Sequence, residues 1–310
     1  MQRGLKEYLI IGLKGLAMGA ADVVPGVSGG TIAFISGIYQ ELIDSINSVN
    51  LTTLKILRKD GIKAAYKSVN GSFLLSLLTG IAISVLSLAK IFKWLIENKP
   101  ILIWSFFFGL VIASILFVGK QIKKWHITNI ISLIIGIILA YYITIIPPMG
   151  TNNSDLFLIF AGALAICAMI LPGISGAFIL LLLGAYKPAL EAIHTFDIKK
   201  IAFLGFGAII GLVSFAKLLK WLFSKYEDLT LAILTGFIIG SLNKIWPWKE
   251  TLSWYTNSKG VKLPLLQKSI SPFSFSGENQ LLPAIFLAIM GFLVIFILEK
   301  IGSKKNNSIK

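Results

Sequence analysis

Two short stretches, Val24-Pro-Gly-Val-Ser-Gly-Gly30 and Leu171-Pro-Gly-Ile-Ser-Gly-Ala177, are copies of one helix break, each set inside an apolar run. At a spacing of 147 positions, identities fall at Pro25/Pro172, Gly26/Gly173, Ser28/Ser175, Gly29/Gly176, Ile32/Ile179, Gly37/Gly184 and Tyr39/Tyr186. Proline removes a backbone donor and disfavours helix at the residue before it, so an apolar helix must stop there. Broken helices repeated within one chain mark secondary transporters, whose substrate sites lie where the breaks meet.

Composition places the breaks in a bilayer. Of the 310 residues, 56% are hydrophobic and 14% charged, with a mean hydropathy of +0.83. A soluble domain would carry nearer a quarter charged residues. Residues Met1–Lys6 run into the apolar Leu9–Met18 without a small-residue cleavage site, so this start is expected to belong to the mature fold. The net charge of +15 is spread over short loops and both ends rather than one basic domain. That spread fits membrane orientation and anionic headgroups, and argues against nucleic acid. Cys167 is the sole cysteine, and the two histidines, His126 and His194, fall in predicted loops. No intramolecular disulfide can form, most metal sites are excluded, and no cofactor is expected.

Spans are predicted at about 73–95, 101–119, 128–147, 201–223, 229–246 and 281–301, each long enough for a hydrocarbon core of about 30 Å at about 1.5 Å per residue. Segments 5–46 and 156–193 each hold two arms meeting at Pro-Gly, which predicts re-entrant hairpins. The duplication continues at a spacing of 127. Ser87–Leu95 matches Ser214–Leu222 at six of nine positions, and Gly80 pairs with Gly207, Gly109 with Gly236 and Ser114 with Ser241. The change of spacing puts about 20 extra residues in the polar 47–70 linker, and an insertion at 247–280 interrupts the second copy.

The expected fold class is an all-α polytopic membrane protein of two inverted repeats, each one re-entrant helical hairpin plus three transmembrane helices. Residues 1–148 form the first repeat and 149–310 the second. Three spans per repeat is odd, so the second repeat must invert. Loop charges agree: Lys55, Arg58, Lys59, Lys63 and Lys67, then Lys120, Lys123 and Lys124, then Lys300, Lys304, Lys305 and Lys310 all fall on one predicted side. That side is cytoplasmic, with both termini. Lys187, Lys199 and Lys200 fall outside, partly offset by Glu191 and Asp197.

Each break offers an anion site. Ser28 is placed to cap the returning helix, with Gly29 and Gly30 leaving the backbone uncovered and Thr31 beside them; Ser175, Gly176 and Ala177 repeat the arrangement. Helix starts favour phosphate or carboxylate. The bland alternative is that these small residues merely let hairpins cross closely. Asp22 is the one carboxylate deep in an apolar segment, and its counterpart is Met169. It can carry a coupling proton, hold a cation or cap the break. Lys14 also lies in the first arm, where snorkelling to the surface is the simple account. The equivalents Lys90 and Lys217 either anchor the interface beside Trp94 and Trp221 or receive an anionic headgroup. The tryptophans of the 247–280 insertion, with Trp246 at its edge, are expected on the outer surface.

Residues Gly19–Tyr39 and Ile170–Tyr186 resemble the two motifs of the PopT-type polyprenyl phosphate transporter family, once a membrane family of unknown function. The resemblance implies a flippase that returns undecaprenyl phosphate from the outer to the inner leaflet of the bacterial cytoplasmic membrane for reuse in envelope and peptidoglycan synthesis. It carries over to the motif residues Pro25, Gly26, Ser28, Gly29, Gly30, Thr31, Pro172, Gly173, Ser175, Gly176 and Ala177. The implied partners are a polyprenyl phosphate and bilayer lipids, with a homo-oligomer left open. Moving a dianion inward opposes an inside-negative potential by about 2.3 kcal/mol per charge per 100 mV, so protons or cations are expected to accompany it, with Asp22 as the coupling residue.

Two other classes compete. A membrane undecaprenyl pyrophosphate phosphatase would need an arginine after the serine and a glutamate-rich span, whereas Gly29 follows Ser28 here. A transporter of a small soluble anion could use the same helix starts.

Overall fold

In the computed structural model the described residues are 3–23, 28–150, 154–256 and 262–306. They form α1 (Leu5–Val23), α2 (Gly29–Ile35), α3 (Tyr39–Ser48), α4 (Leu51–Ser68), α5 (Gly71–Asn98), α6 (Pro100–Gly119) and α7 (Ile127–Ile145). The second half follows as α8 (Asp155–Ile170), α9 (Gly176–Leu182), α10 (Tyr186–His194), α11 (Ile198–Lys225) and α12 (Glu227–Ile245). Strands β1 (Lys249–Thr256) and β2 (Lys262–Ser269), then α13 (Leu281–Asn306), complete the chain. The protein is therefore mostly helical. Five helices, α5, α6, α7, α11 and α12, are long and apolar enough to cross a membrane, and α13 adds a shorter apolar stretch over Leu281–Phe296.

Several expectations need correction. The all-α reading missed the antiparallel β1–β2 pair in the 247–280 insertion. The 47–70 linker is mostly helix: Asn50 caps α4 by accepting from the Thr52 amide at 2.8 Å, and Gly61, at φ 84°, kinks it. The returning arms are not continuous helices. Each splits at a glycine of positive φ, Gly37 (72°) or Gly184 (68°), and α9 and α10 bend by 114°. A residue with a Cβ resists that left-handed backbone, so both copies keep glycine there. His194 closes α10 rather than lying in a loop.

Helices α6 and α12 sit at the centre. They are 61% and 56% buried over their most apolar windows, against 17% for α11 and 22% for α7. A helix apolar all round needs either lipid or protein on every side; α6 has protein, while α7 and α11 turn side chains such as Ile134, Ile138, Phe206 and Ile209 outward. Pro100, fixed near helical φ, starts α6.

Backbone crossings at glycine repeat across the two halves. A Cβ on Gly15 would overlap the Leu77 carbonyl, and one on Gly162 the carbonyl of its equivalent, Leu204. Gly80 abuts the Gly12 carbonyl as Gly207 abuts that of Ile159. Gly236 meets Leu133 and Gly136 meets Ile233, while Gly109 meets Ala288 and Gly291 meets Phe106. Small residues let membrane helices approach until dispersion between backbones holds them. These crossings pair α1 with α5 and α8 with α11, but they also pair α7 with α12 and α6 with α13. The last span of each half thus packs on the middle span of the other.

Polar contacts fix the relative directions. Asp228, at the start of α12, accepts from the amides of Lys123 and Lys124 just before α7, and Asn243 near its end donates to Thr144 at 2.7 Å. Helices α7 and α12 are therefore parallel. Lys123 also pairs with Glu227 at 2.8 Å, just past the end of α6, while Phe108 stacks on Trp246 beyond the end of α12. Helices α6 and α12 are antiparallel. Exposed pairs of this kind, with Lys220–Asp44 and Lys199–Asp155 both at 2.7 Å, add little stability but show which loops share an end.

The insertion is not a surface strap. Trp248 is buried and donates Nε1–H to the Asn279 carbonyl at 2.8 Å, and Trp246 donates to that of Ile270 at 2.9 Å. Only Trp254 matches the expected exposure. Gly109→Ala is expected to lower stability by about 1–3 kcal/mol because the α6–α13 backbones must separate. Gly205→Ala, with open space around it, should leave thermal unfolding in detergent micelles unchanged.

Candidate functional site

The two breaks meet. Thr31, in the first turn of α2, is 2% exposed, and its Oγ1 accepts from the Gly173 amide at 2.8 Å. Ser28 Oγ lies 3.4 Å from the Met169 carbonyl and 3.3 Å from that of Leu171. Tyr39 reaches across to donate to the Ile170 carbonyl at 3.1 Å. The last turn of α8 leaves its carbonyls without helical donors, and the first hairpin supplies replacements. Pro172 is buried against this junction.

Pro25 and Gly26 lie outside the described residues, so the first Pro-Gly turn carries no structural statement. Its flanks do. Asp22, at the end of α1, accepts from the Gly29 amide at 2.7 Å, and Ser28 caps α2 by accepting from the Gly30 amide at 3.1 Å. The expectation of uncovered amides is thus corrected at the first break. The start of α2 is filled from within, and Gly29 and Gly30 are buried because their approach to Asp22 and the Ile170 carbonyl leaves no room for a Cβ.

The second break is arranged differently. Ser175 precedes α9 but makes no capping bond, and Met169 stands where the first half has Asp22. Gly176 is buried and Ala177 exposed. Gly173, at φ 86°, packs on α12 so closely that a Cβ would meet the Phe237 carbonyl and Ser241 Oγ. Beside it a small cavity of about 10 Å³ is lined by Ala140, Thr144, Gly173, Ser175, Phe178 and Lys244.

Lys244 and Lys249 are the residues that sequence reasoning passed over. Lys244 Nζ sits 4.1 Å from the Phe178 ring centroid, and Lys249 Nζ 4.0 Å from that of Trp104 while donating to the Lys244 carbonyl at 2.6 Å. Among the described residues neither is paired with a carboxylate. Lys244 showed as a basic residue near the end of an apolar helix, a pattern that snorkelling explains equally well.

Lys90 and Lys217 are both exposed on the outer sides of α5 and α11, and neither bonds to a break. Lys14 does not reach for solvent: it donates to the Ser36 carbonyl at 2.6 Å, at the C-terminal end of α2, where a cation is favourable. The larger cavity, about 190 Å³ between α8, α10 and α11, is apolar apart from Lys200, which faces Asp197 at 3.7 Å. It suits hydrocarbon rather than phosphate.

The junction yields a direct test. Thr31→Val keeps the shape but strands the half-buried Gly173 amide, and should cost about 1–3 kcal/mol in thermal unfolding. Thr31→Ser should retain wild-type stability.

The undecaprenyl phosphate translocase-like family matches residues 18–263, which contain both breaks, α11, α12 and β1. The chain is 48% identical over 302 residues to a protein of Vibrio cholerae serotype O1 named Polyprenyl-phosphate transporter, covering 96% of this chain and 98% of that one. A Staphylococcus aureus protein of the same name is 30% identical over 272 residues, covering 79% and 89%. No solved structure gives a significant match. The chain belongs to the undecaprenyl phosphate translocase-like family.

Proposed function

We propose that this protein is a polyprenyl phosphate transporter, a flippase that returns undecaprenyl phosphate from the outer to the inner leaflet of the bacterial cytoplasmic membrane. The observation that carries the reading is the contact of two broken helices inside an apolar bundle, bonded through Thr31 and Gly173. A break at depth is tolerated where protein buries it or where it lines a polar cavity, and the second break has Ser175, Thr144 and Lys244 around such a cavity. The names of the two relatives supply the substrate class.

The architecture we infer is a pair of inverted repeats, 1–148 and 149–310. Support comes from the antiparallel run of the equivalent helices α6 and α12, and from the matched glycine crossings. The basic 120–127 loop shares its end of the bundle with the start of α12, which favours a cytoplasmic position for that end and for both termini.

The lipid tail stays in the bilayer while its head passes the breaks, meeting Ser28, Gly29, Gly30 and Thr31 on one side and Gly173, Ser175, Gly176 and Ala177 on the other. Pro172 is buried at the second break, and Pro25 and Gly26 are the sequence counterparts of Pro172 and Gly173 at the first. Lys90 and Lys217, out on the helix flanks, receive headgroups at the two mouths. Asp22 acts as the coupling group. Its carboxylate holds the Gly29 amide that a phosphate oxygen would otherwise take, so a proton on Asp22 and an anion at the break favour one another.

In phosphatidylcholine proteoliposomes, the wild type should deliver a fluorescent polyprenyl phosphate to the inner leaflet faster when the outside is acid. Asp22→Asn should lose that acceleration. Absence of lipid movement by the wild type, or steady release of inorganic phosphate, would overturn the reading.

A further inference from the structure

We propose that Lys244 and Lys249, with Ser175, form the phosphate-monoester site of this protein, on the outer flank of the second break; the inference rests on the transporter reading for its ligand. Among the described residues the first break holds the Asp22 carboxylate, whereas the cavity at the second is lined by Lys244, to whose carbonyl Lys249 is bonded. An ammonium taken partly out of water needs anionic or strong neutral acceptors around it. Among the described residues Lys249 has one carbonyl and an aromatic face, and Lys244 an aromatic face. Aromatic rings attract a cation without satisfying its three donors. A phosphate oxygen would satisfy them.

The β1–β2 pair acquires a role in this arrangement. Ser269, opposite Lys249 in the ladder, lies with its Oγ 2.9 Å from Asn243 Oδ1, and Asn243 in turn holds Thr144. Trp246 and Trp248 anchor the same corner through Ile270 and Asn279. These bonds fix the base of the strand pair to the end of α12 and bring Lys249 Nζ beneath it. The 247–280 insertion thus positions a second ammonium beside Lys244. Lys244 has Phe117 as its counterpart at the 127 spacing, and Lys249 lies in the insertion, which the first half lacks.

At about 10 Å³ the cavity between Ser175, Thr144 and Lys244 holds about one water-sized group. A phosphate enters only when the second hairpin and the end of α12 separate. The contacts that must yield there are Phe178 on Lys244 and Gly173 on Ser241, not the glycine crossings between the long helices.

The test uses the full chain in phosphatidylcholine nanodiscs, titrated calorimetrically with farnesyl monophosphate, inorganic phosphate and uncharged farnesol. The wild type should bind farnesyl monophosphate and not farnesol. Lys244→Gln and Lys249→Gln should each weaken binding about tenfold, the loss expected for one charge-assisted bond. Lys244→Arg and the exposed Lys268→Gln should bind like wild type. A readout independent of refolding is protection of Lys244 and Lys249 from acetylation in the wild type by farnesyl monophosphate, seen by mass spectrometry. Equal binding by the glutamine variants, or no protection, overturns the site and leaves the transporter reading standing if the wild type still moves lipid. Equally tight binding of inorganic phosphate, lost in the same variants, supports the site and shifts its ligand to a soluble anion, against the transporter reading. Failure of the wild type to bind either phosphate overturns the site.

Discussion

A helix broken inside a bilayer strands amides and carbonyls that water cannot reach, and everything else in this protein depends on how those groups are satisfied. Here the first break is closed by its own Asp22 and Ser28, and the first hairpin also supplies the second. The carbonyls ending α8 receive the hydroxyls of Ser28 and Tyr39, and the Gly173 amide receives Thr31. Two discontinuities that would be untenable singly form one bonded junction.

The junction is asymmetric although its two halves arose from one pattern. Asp22 and Ser28 close the start of α2, while Met169 and an uncapped Ser175 leave the start of α9 without those partners. Charge follows the same division, with a carboxylate at the first break and the ammonium of Lys244 at the second. A lipid phosphate and a coupling proton would then have separate places along one path, linked through the contact between Thr31 and Gly173.

Much of this was legible in the residues because membrane rules are strict. Five of the apolar runs coincide with α5, α6, α7, α11 and α12, the helices long and apolar enough to cross a membrane, and α5 and α11, paired by the spacing of 127, are both 28 residues long. The breaks were legible because Pro-Gly has few uses at depth. What stayed hidden was set by tertiary contact. No local signal showed that Asp22 would accept from Gly29 rather than leave it bare, since the two are seven residues apart. The split of each returning arm was written in Gly37 and Gly184, but an isolated glycine in a helix is a weak stop. Lys249 gained meaning only once the β1–β2 ladder placed it against Trp104.

The exchange of last spans between the halves reaches into biogenesis. Gly109 on α6 has as its mate Ala288, and Gly291 returns the contact to Phe106, so the central helix of the first half keeps an open seam until α13 has been made. In the order of translation the first half is made before this seam can close, so lipid must cover that face of α6 until α13 inserts.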